Sequence, residues 1–273
     1  MAHRRPALPA QAARPVTGLL TSVLVTLALS ASPVGPPPTG GVADYQLGGA
    51  YAPSPDVDIV TRDRTEKPVE GRYSICYVNS FQTQPGTLRW WKKKHPRLLL
   101  RDRKGHLVRD ADWPDEVLLD IRTSTRRAAI GRLNRAWFAQ CERKGFQAVE
   151  PDNLDSWTRS RGLLKKSYAI NFGKRLVREA HRSGVAIAQK NAPELSRKRI
   201  GFDFAVAEEC EVYRECGAYT RTYGTRLIEI EYTDNGRSAF ARACAARSGR
   251  ASILLRDRDV VPRGAKGYVF RSC

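Results

Sequence analysis

The chain has 273 residues, 41% of them hydrophobic and 27% charged, with 47 Lys and Arg against 28 Asp and Glu for a net charge of +19. That much apolar material is enough for one large buried core and excludes a disordered polyelectrolyte. The positive excess invites an anionic partner, but the arginines are dispersed and no nucleic-acid motif accompanies them, so a solvated basic surface with no specific nucleic acid bound is expected.

The first residues are basic (His3, Arg4, Arg5, Arg14), followed by an uncharged run from Val16 to Ser32 with small residues near Ala28 to Ala31, then Pro33-Val-Gly-Pro-Pro-Pro-Thr-Gly-Gly41. The order is that of a secretory signal over residues 1–32 and a proline linker over 33–41, with the folded domain over 42–273. After cleavage the protein is expected to be secreted, free of the membrane and monomeric. Removing Arg4, Arg5 and Arg14 with the signal takes the charge from +19 to +16.

Beyond the linker, 42–47, 57–61 and 73–78 read as strands, the last closed by Asn79 and Ser80. A long polar segment from Phe81 to Asp115 carries Trp90, Trp91 and Trp113, either a platform for sugar rings or a helix tucked onto the fold. Residues 116–122 read as a strand with Asp120 and Arg122 on one face, and Arg126 to Lys144 as an amphipathic helix stopped by Gly145. A strand ending in Glu150-Pro-Asp152 follows, then a helix over 168–182, strands at 185–191, 202–210 and 226–232, a helix over 237–247 and a last strand at 252–257.

Strand and helix alternating at this spacing indicate right-handed βα units, and the length is that of a single-domain (β/α)₈ TIM barrel of the α/β class. No G-x-G-x-x-G follows the first strand, which weakens an open doubly wound sheet. Nine strand-like runs are one too many, so one of the first two is expected to be an excursion.

The six cysteines suit an exported protein. Cys210 and Cys216 share a short loop, and Cys244 lies in a helix while Cys273 ends the chain, so 210–216 and 244–273 are the expected pairs. Cys76 and Cys141 sit in apolar patterns, as free thiols or as a third bridge. Without CxxC or a nearby His, neither a metal nor a cofactor is expected.

Strand C-termini in such a barrel converge on one mouth, and here they carry Asp63, Asn79, Asp120, Glu150, Asp152, Lys190, Asn191, Glu208, Glu209, Glu231 and Asp234. A mouth dense in acids and short of His or Cys suits glycoside hydrolysis, which needs one protonated and one ionised carboxyl. An oxygen-ligand metal site is the rival chemistry, disfavoured by Lys190 among the acids.

The run Gly145-Phe-Gln-Ala-Val-Glu-Pro-Asp-Asn-Leu-Asp155 resembles the signature of the endo-α-1,4-polygalactosaminidases, glycoside hydrolase family 114. So do Ile75-Cys-Tyr, Leu119-Asp-Ile-Arg122, Gln189-Lys-Asn191, Phe202-Asp-Phe-Ala-Val-Ala-Glu-Glu-Cys210, Tyr213-x-x-Cys216 and Ile230-Glu-Tyr232. The chain departs from the family pattern at Val78-Asn-Ser-Phe-Gln-Thr-Gln84, which lacks the acid usual there, and at Ala207, where a polar residue is usual. The resemblance implies a barrel that cleaves α-1,4-linked galactosamine-containing polysaccharide internally, with Asp152 and Glu208 as the catalytic pair and a retaining outcome.

Around that pair, Glu150, Asp120, Glu209 and Glu231 are expected to position or tune it, Lys190 and Asn191 to hold sugar hydroxyls, and Asn153, Asp155 and Tyr232 to contact substrate. Glu208 follows the apolar Phe204-Ala-Val-Ala207, and desolvation there suits a general acid; Asp152, among polar neighbours, suits the ionised nucleophile or base. The alternative function is a catalytically silent barrel that binds cell-surface glycan or another anionic polymer through its basic face.

Overall fold

A computed structural model describes Met1 and residues 35–273. The expected signal and the first two linker residues therefore fall, Met1 aside, outside the described residues, and the fold is that of the unit Pro33–Cys273. Among the described residues no helix is long and apolar enough to cross a membrane. The described part of the proline segment packs rather than hangs free: Pro37 is buried, and the Tyr73 hydroxyl donates to the Gly35 carbonyl at 2.7 Å.

Eight parallel strands follow one another around the sheet in chain order: β1 Ala43–Gln46, β2 Ile59–Asp63, β3 Tyr73–Asn79, β4 Ala148–Asp152, β5 Ala186–Lys190, β6 Phe204–Glu208, β7 Leu227–Tyr232 and β8 Ser252–Arg256. A short β9, Phe270–Ser272, pairs antiparallel to β8. The helices are α1 Leu88–Lys94, α2 Ser124–Lys144, α3 Lys166–Arg182, α4 Cys216–Tyr223 and α5 Ser238–Arg247. The architecture is the expected TIM barrel, nearly closed.

Side-chain alternation divides the apolar residues into two cores. Ala43, Tyr45, Ile59, Ile75, Ala148, Ala186, Ala188, Phe204, Val206, Ile228, Ile230 and Leu254 fill the barrel interior. Their neighbours along the strands, such as Val149, Ile187 and Ala205, pack outward beneath Ile130 and Phe138 of α2 and Phe172 and Leu176 of α3. Helix α2 starts where the Thr123 side chain accepts from the Arg126 amide and stops at Gly145, whose φ of 99° is cheap without a Cβ.

Two features depart from the expected layout. The excursion is not one of the first two runs, since both are staves; it is 80–123, where the apolar stretch around Val117, Leu118 and Leu119 forms antiparallel bridges to Arg109, Gln82 and Leu99. No helix lies between β1 and β2 or between β2 and β3. Those connections contain Pro53, Pro55, Pro68 and Gly71, which break a helical run.

The ladder is open between β1 and β8. The seam is closed by other means. The Gly48 amide donates to Val260 O at 3.2 Å, and a Cβ at Gly48 would lie 2.6 Å from that oxygen, so only glycine fits. Fully buried Arg256 spans the gap from β8 to the Tyr45 carbonyl and Asp44 Oδ1 of β1.

All six cysteines are paired. The expected Cys210–Cys216 and Cys244–Cys273 bridges are present, and Cys76–Cys141 is a third, tying β3 to α2.

Candidate active site

The C-terminal ends of the strands open on a cavity of about 420 Å³ lined by Tyr45, Tyr77, Glu116, Asp152, Asn153, Lys190, Glu208, Glu209, Tyr232 and Arg258, with Trp113 at its rim. At its floor lies one ammonium. Lys190 Nζ is 3.1 Å from Glu150 Oε1, 3.4 Å from Asp152 Oδ1 and 3.3 Å from Glu208 Oε2, and donates to the Tyr45 hydroxyl at 2.9 Å. The expectation for Lys190 is a contact with sugar hydroxyls; in the structure its donors are spent inside the protein and 2% of its surface is exposed, so it holds carboxylates together instead.

Three tyrosines complete the frame. Tyr45 donates to Glu150 at 2.6 Å, Tyr77 to Asp152 Oδ2 at 2.8 Å and Tyr232 to Glu208 Oε1 at 2.5 Å. Burial, reinforced by the neighbouring carboxylates, pushes all three phenols far above their ordinary range, so they remain donors. Burial alone would discharge Lys190, but Asp152, Glu208 and Glu150 outweigh it and hold the amine well above its usual value.

The same environment separates the acids. Burial raises Asp152, yet Lys190, the Tyr77 hydroxyl and the Asn153 amide together hold it below the usual carboxylate range. Glu150, wholly inside, ends above that range because burial exceeds the help of Lys190 and Tyr45, and its Oε2 has no partner among the described residues. Glu208 keeps 23% of its side chain exposed and Asp152 19%, so both open on the cavity. Asn191 grips Glu208 twice, through Nδ2 to Oε2 at 2.9 Å and by accepting its amide at 2.8 Å.

A backbone device repeats at these strand ends. The residue after each of Asp152, Lys190 and Glu208 is left-handed, with φ of 65° at Asn153, 49° at Asn191 and 59° at Glu209. The turn breaks the alternation, so consecutive residues such as Glu208 and Glu209 both face the mouth. Asn tolerates this region; Glu does so at a cost of order 1–3 kcal/mol, the kind of strain that collects at functional sites. Arg258 anchors Glu209 through both carboxylate oxygens, at 3.0 and 2.5 Å, reaches Asp234 at 2.8 Å and covers the Tyr232 ring at 4.2 Å.

Three of the expected site residues lie elsewhere. Glu231 precedes inward-facing Tyr232 and so points outward, accepting the Glu211 amide at 3.0 Å. Asp120 is on the excursion, bound by Arg122 at 2.7 Å and Arg126 at 2.9 Å. Asp155 clamps Arg159 at 2.9 Å, which in turn binds Asp110 at 2.5 Å and Asn153 at 2.8 Å. Ala207 also faces outward, fully buried, so that departure from the family pattern does not touch the mouth.

Tyr45, Tyr77, Glu116 and Arg258 are mouth residues that the sequence reading did not single out. Alternation from Ile75 marks Tyr77, and the first strand marks Tyr45; Glu116 comes from the excursion and carries no strand-end signal. It places a carboxylate against Asn79, at 2.7 Å, beside a segment that has none of its own. Trp91 is buried in α1, while Trp90 and Trp113 are exposed.

The sequence profile of glycoside-hydrolase family GH114 matches residues 25–273. Among solved structures, Aspergillus fumigatus Ega3 in complex with galactosamine is similar at 23% identity and a TM-score of 0.68, over 86% of this chain and 96% of that one. The glycoside hydrolase domain of PelA from Pseudomonas aeruginosa is similar at 16% identity and a TM-score of 0.59, over 82% of this chain and 97% of that one. At such identities the likeness establishes the fold. No curated protein sequence matches this chain.

Proposed function

The chain belongs to glycoside-hydrolase family GH114, and from that premise we propose that it is a secreted endo-hydrolase of α-1,4-linked galactosamine-containing polysaccharide, with Asp152 and Glu208 as its catalytic pair. The observation that carries the proposal is the shared ammonium. Asp152 Oδ1 and Glu208 Oε2 lie 3.4 and 3.3 Å from Lys190 Nζ, so they are no farther apart than those two ion pairs laid end to end. That ceiling reaches only the low edge of the roughly 6.5–9.5 Å of inverting enzymes and readily includes the about 5 Å of retaining ones.

The surroundings of Asp152 suit it to the nucleophile, which leaves the proton donor's part to Glu208. Asp152, held ionised by Lys190 and Tyr77, attacks the anomeric carbon as Glu208 gives its proton to the departing glycosidic oxygen. A water then enters, loses its proton to Glu208 and releases the sugar from Asp152 with its configuration retained. Glu150 lies outside the cavity lining and Lys190 at its floor; both fix and tune the pair. Three disulfides suit an oxidising, extracytoplasmic destination.

The test uses purified protein and de-N-acetylated galactosaminogalactan. New reducing ends are expected, and Asp152→Asn and Glu208→Gln should each lower their rate by about 10³-fold or more. Binding without release would favour the silent glycan-binding barrel instead.

A further inference from the structure

Glu116 is the most buried of the carboxylates that line the mouth, with 7% of its surface exposed, and the catalytic scheme does not use it. Its backbone is fixed on both sides: its amide donates to Trp113 O at 2.9 Å and its carbonyl accepts from the Asp110 amide at 3.0 Å. Its side chain is fixed through Oε2 alone, which accepts from Asn79 Nδ2 at 2.7 Å and from Asn153 Nδ2 at 3.3 Å. Oε1 has no protein partner among the described residues and is left to the cavity.

The catalytic acids and Glu209 each have a cation, whereas Glu116 shares with the less buried Asp63 and Asp259 of the lining the lack of an ion pair among the described residues. Lys190 serves Glu150, Asp152 and Glu208, and Arg258 serves Glu209. Arg159, whose charge is felt at Glu116, makes its ion pairs with Asp110 and Asp155. Burial holds the Glu116 carboxyl up to about 7, with Asp152 and Asp110 adding their charge, against the Asn79 bond and the more distant charge of Arg159, which lower it. A carboxylate so placed gains most from a ligand that brings its own positive charge, because the ion pair removes an uncompensated desolvation cost.

We propose that Glu116 is the specificity-determining residue of this mouth: through Oε1 it receives the protonated primary amine of a 2-amino-2-deoxy sugar and rejects the N-acetylated one. The role rests on the proposed glycosidase function. An acetamido group is neutral and bulkier, so it leaves Glu116 desolvated without a counter-charge, while the free ammonium fills that vacancy with a charge-assisted hydrogen bond. Selection therefore comes as much from the penalty on the acetylated sugar as from attraction of the amine. A cleft of this kind can take a cationic polymer although the protein's own charge is +19, because the local field at the mouth is set by acids.

The experiment compares kcat/KM on two forms of one polymer: de-N-acetylated galactosaminogalactan, and the same material re-N-acetylated with acetic anhydride. Wild-type protein should prefer the amino form, and Glu116→Gln, which keeps an oxygen for Asn79 and Asn153, should reduce that preference by roughly 10- to 100-fold. Glu116→Asp, with the charge retained but drawn back by one methylene, should fall between them. An unchanged preference in the glutamine variant, or equal loss on both polymers, overturns the role of Glu116 alone. Should that variant fail to fold, an unreduced preference in Glu116→Asp overturns it equally. Wild-type protein inert on both polymers would overturn the glycosidase function and this role with it.

Discussion

Replacing Lys190 with methionine keeps the side-chain volume and removes the one charge that three acids share. At 3.1 to 3.4 Å each pair is worth about 5 kcal/mol at an effective dielectric near 20. Repulsion among the acids and the desolvation of the amine consume most of the sum, and removing one partner of a buried ion pair costs about 3–5 kcal/mol. In a domain of this size that is a fall in Tm of roughly 6–20 °C.

The pH dependence contributed by Asp152 should also change sign. In the wild type Asp152 lies below its unfolded value, so its contribution is present above that value and lost as the pH falls through the folded one. Glu150 already lies above its unfolded value and opposes it. Without Lys190, burial governs Asp152 as it governs Glu150, the native state binds more protons than the unfolded one, and stability falls as the pH rises. Guanidinium unfolding of the oxidised protein at pH 5 and pH 8 should show the larger loss for Lys190→Met at pH 8. An equal loss at the two pH values, or one under about 1 kcal/mol at pH 8, would refute the view of Lys190 as the keystone of the site.

Tyr77→Phe removes one of the donors that keep Asp152 ionised, so the acidic limb of the kcat/KM profile should move to higher pH by roughly one unit; an unmoved limb would show that the phenol does not tune Asp152. The bridges should separate stability from activity. Cys76 and Cys141 are 65 residues apart and Cys210 and Cys216 six, so loop entropy assigns about 4 and about 2 kcal/mol to them. Replacing both members of each pair with alanine should therefore cost more melting temperature at 76–141 and more kcat at 210–216, which lies directly behind Glu208 and Glu209; the opposite ranking of rates would remove the 210–216 loop from the support of the site.

The barrel was legible because period-2 alternation and helix stop signals survive in local sequence, and Gly145 or the Val149-Glu150-Pro151-Asp152 run needs no distant partner to be read. What failed was locally ambiguous. The apolar run at 117–121 has the composition of a stave, and nothing within it says that its partners are Gln82, Leu99 and Arg109 instead of a barrel strand. Glu231 was misplaced because a cluster of acids near strand ends ignores which face each occupies; Tyr232 facing inward excludes its neighbour. Glu209 escapes that exclusion only through a left-handed backbone, a property of tertiary structure. Lys190, Tyr45 and Glu150 are remote in sequence, and their joint burial at one point is decided by barrel closure. Glu116 was missed for the same reason, arriving at the mouth from an excursion.

The central claim, that Asp152 attacks and Glu208 supplies the proton, is tested most directly by trapping the intermediate. Glu208→Gln should accept α-galactosaminyl fluoride, whose leaving group needs little protonation, and then accumulate a glycosyl-enzyme because no base activates the water of the second step. Peptide mass mapping should find the sugar on the peptide that contains Asp152, with azide releasing it as the α-galactosaminyl azide. No adduct together with a β-configured first product by NMR, or an adduct on Glu208 in the Asp152→Asn variant, would contradict the account.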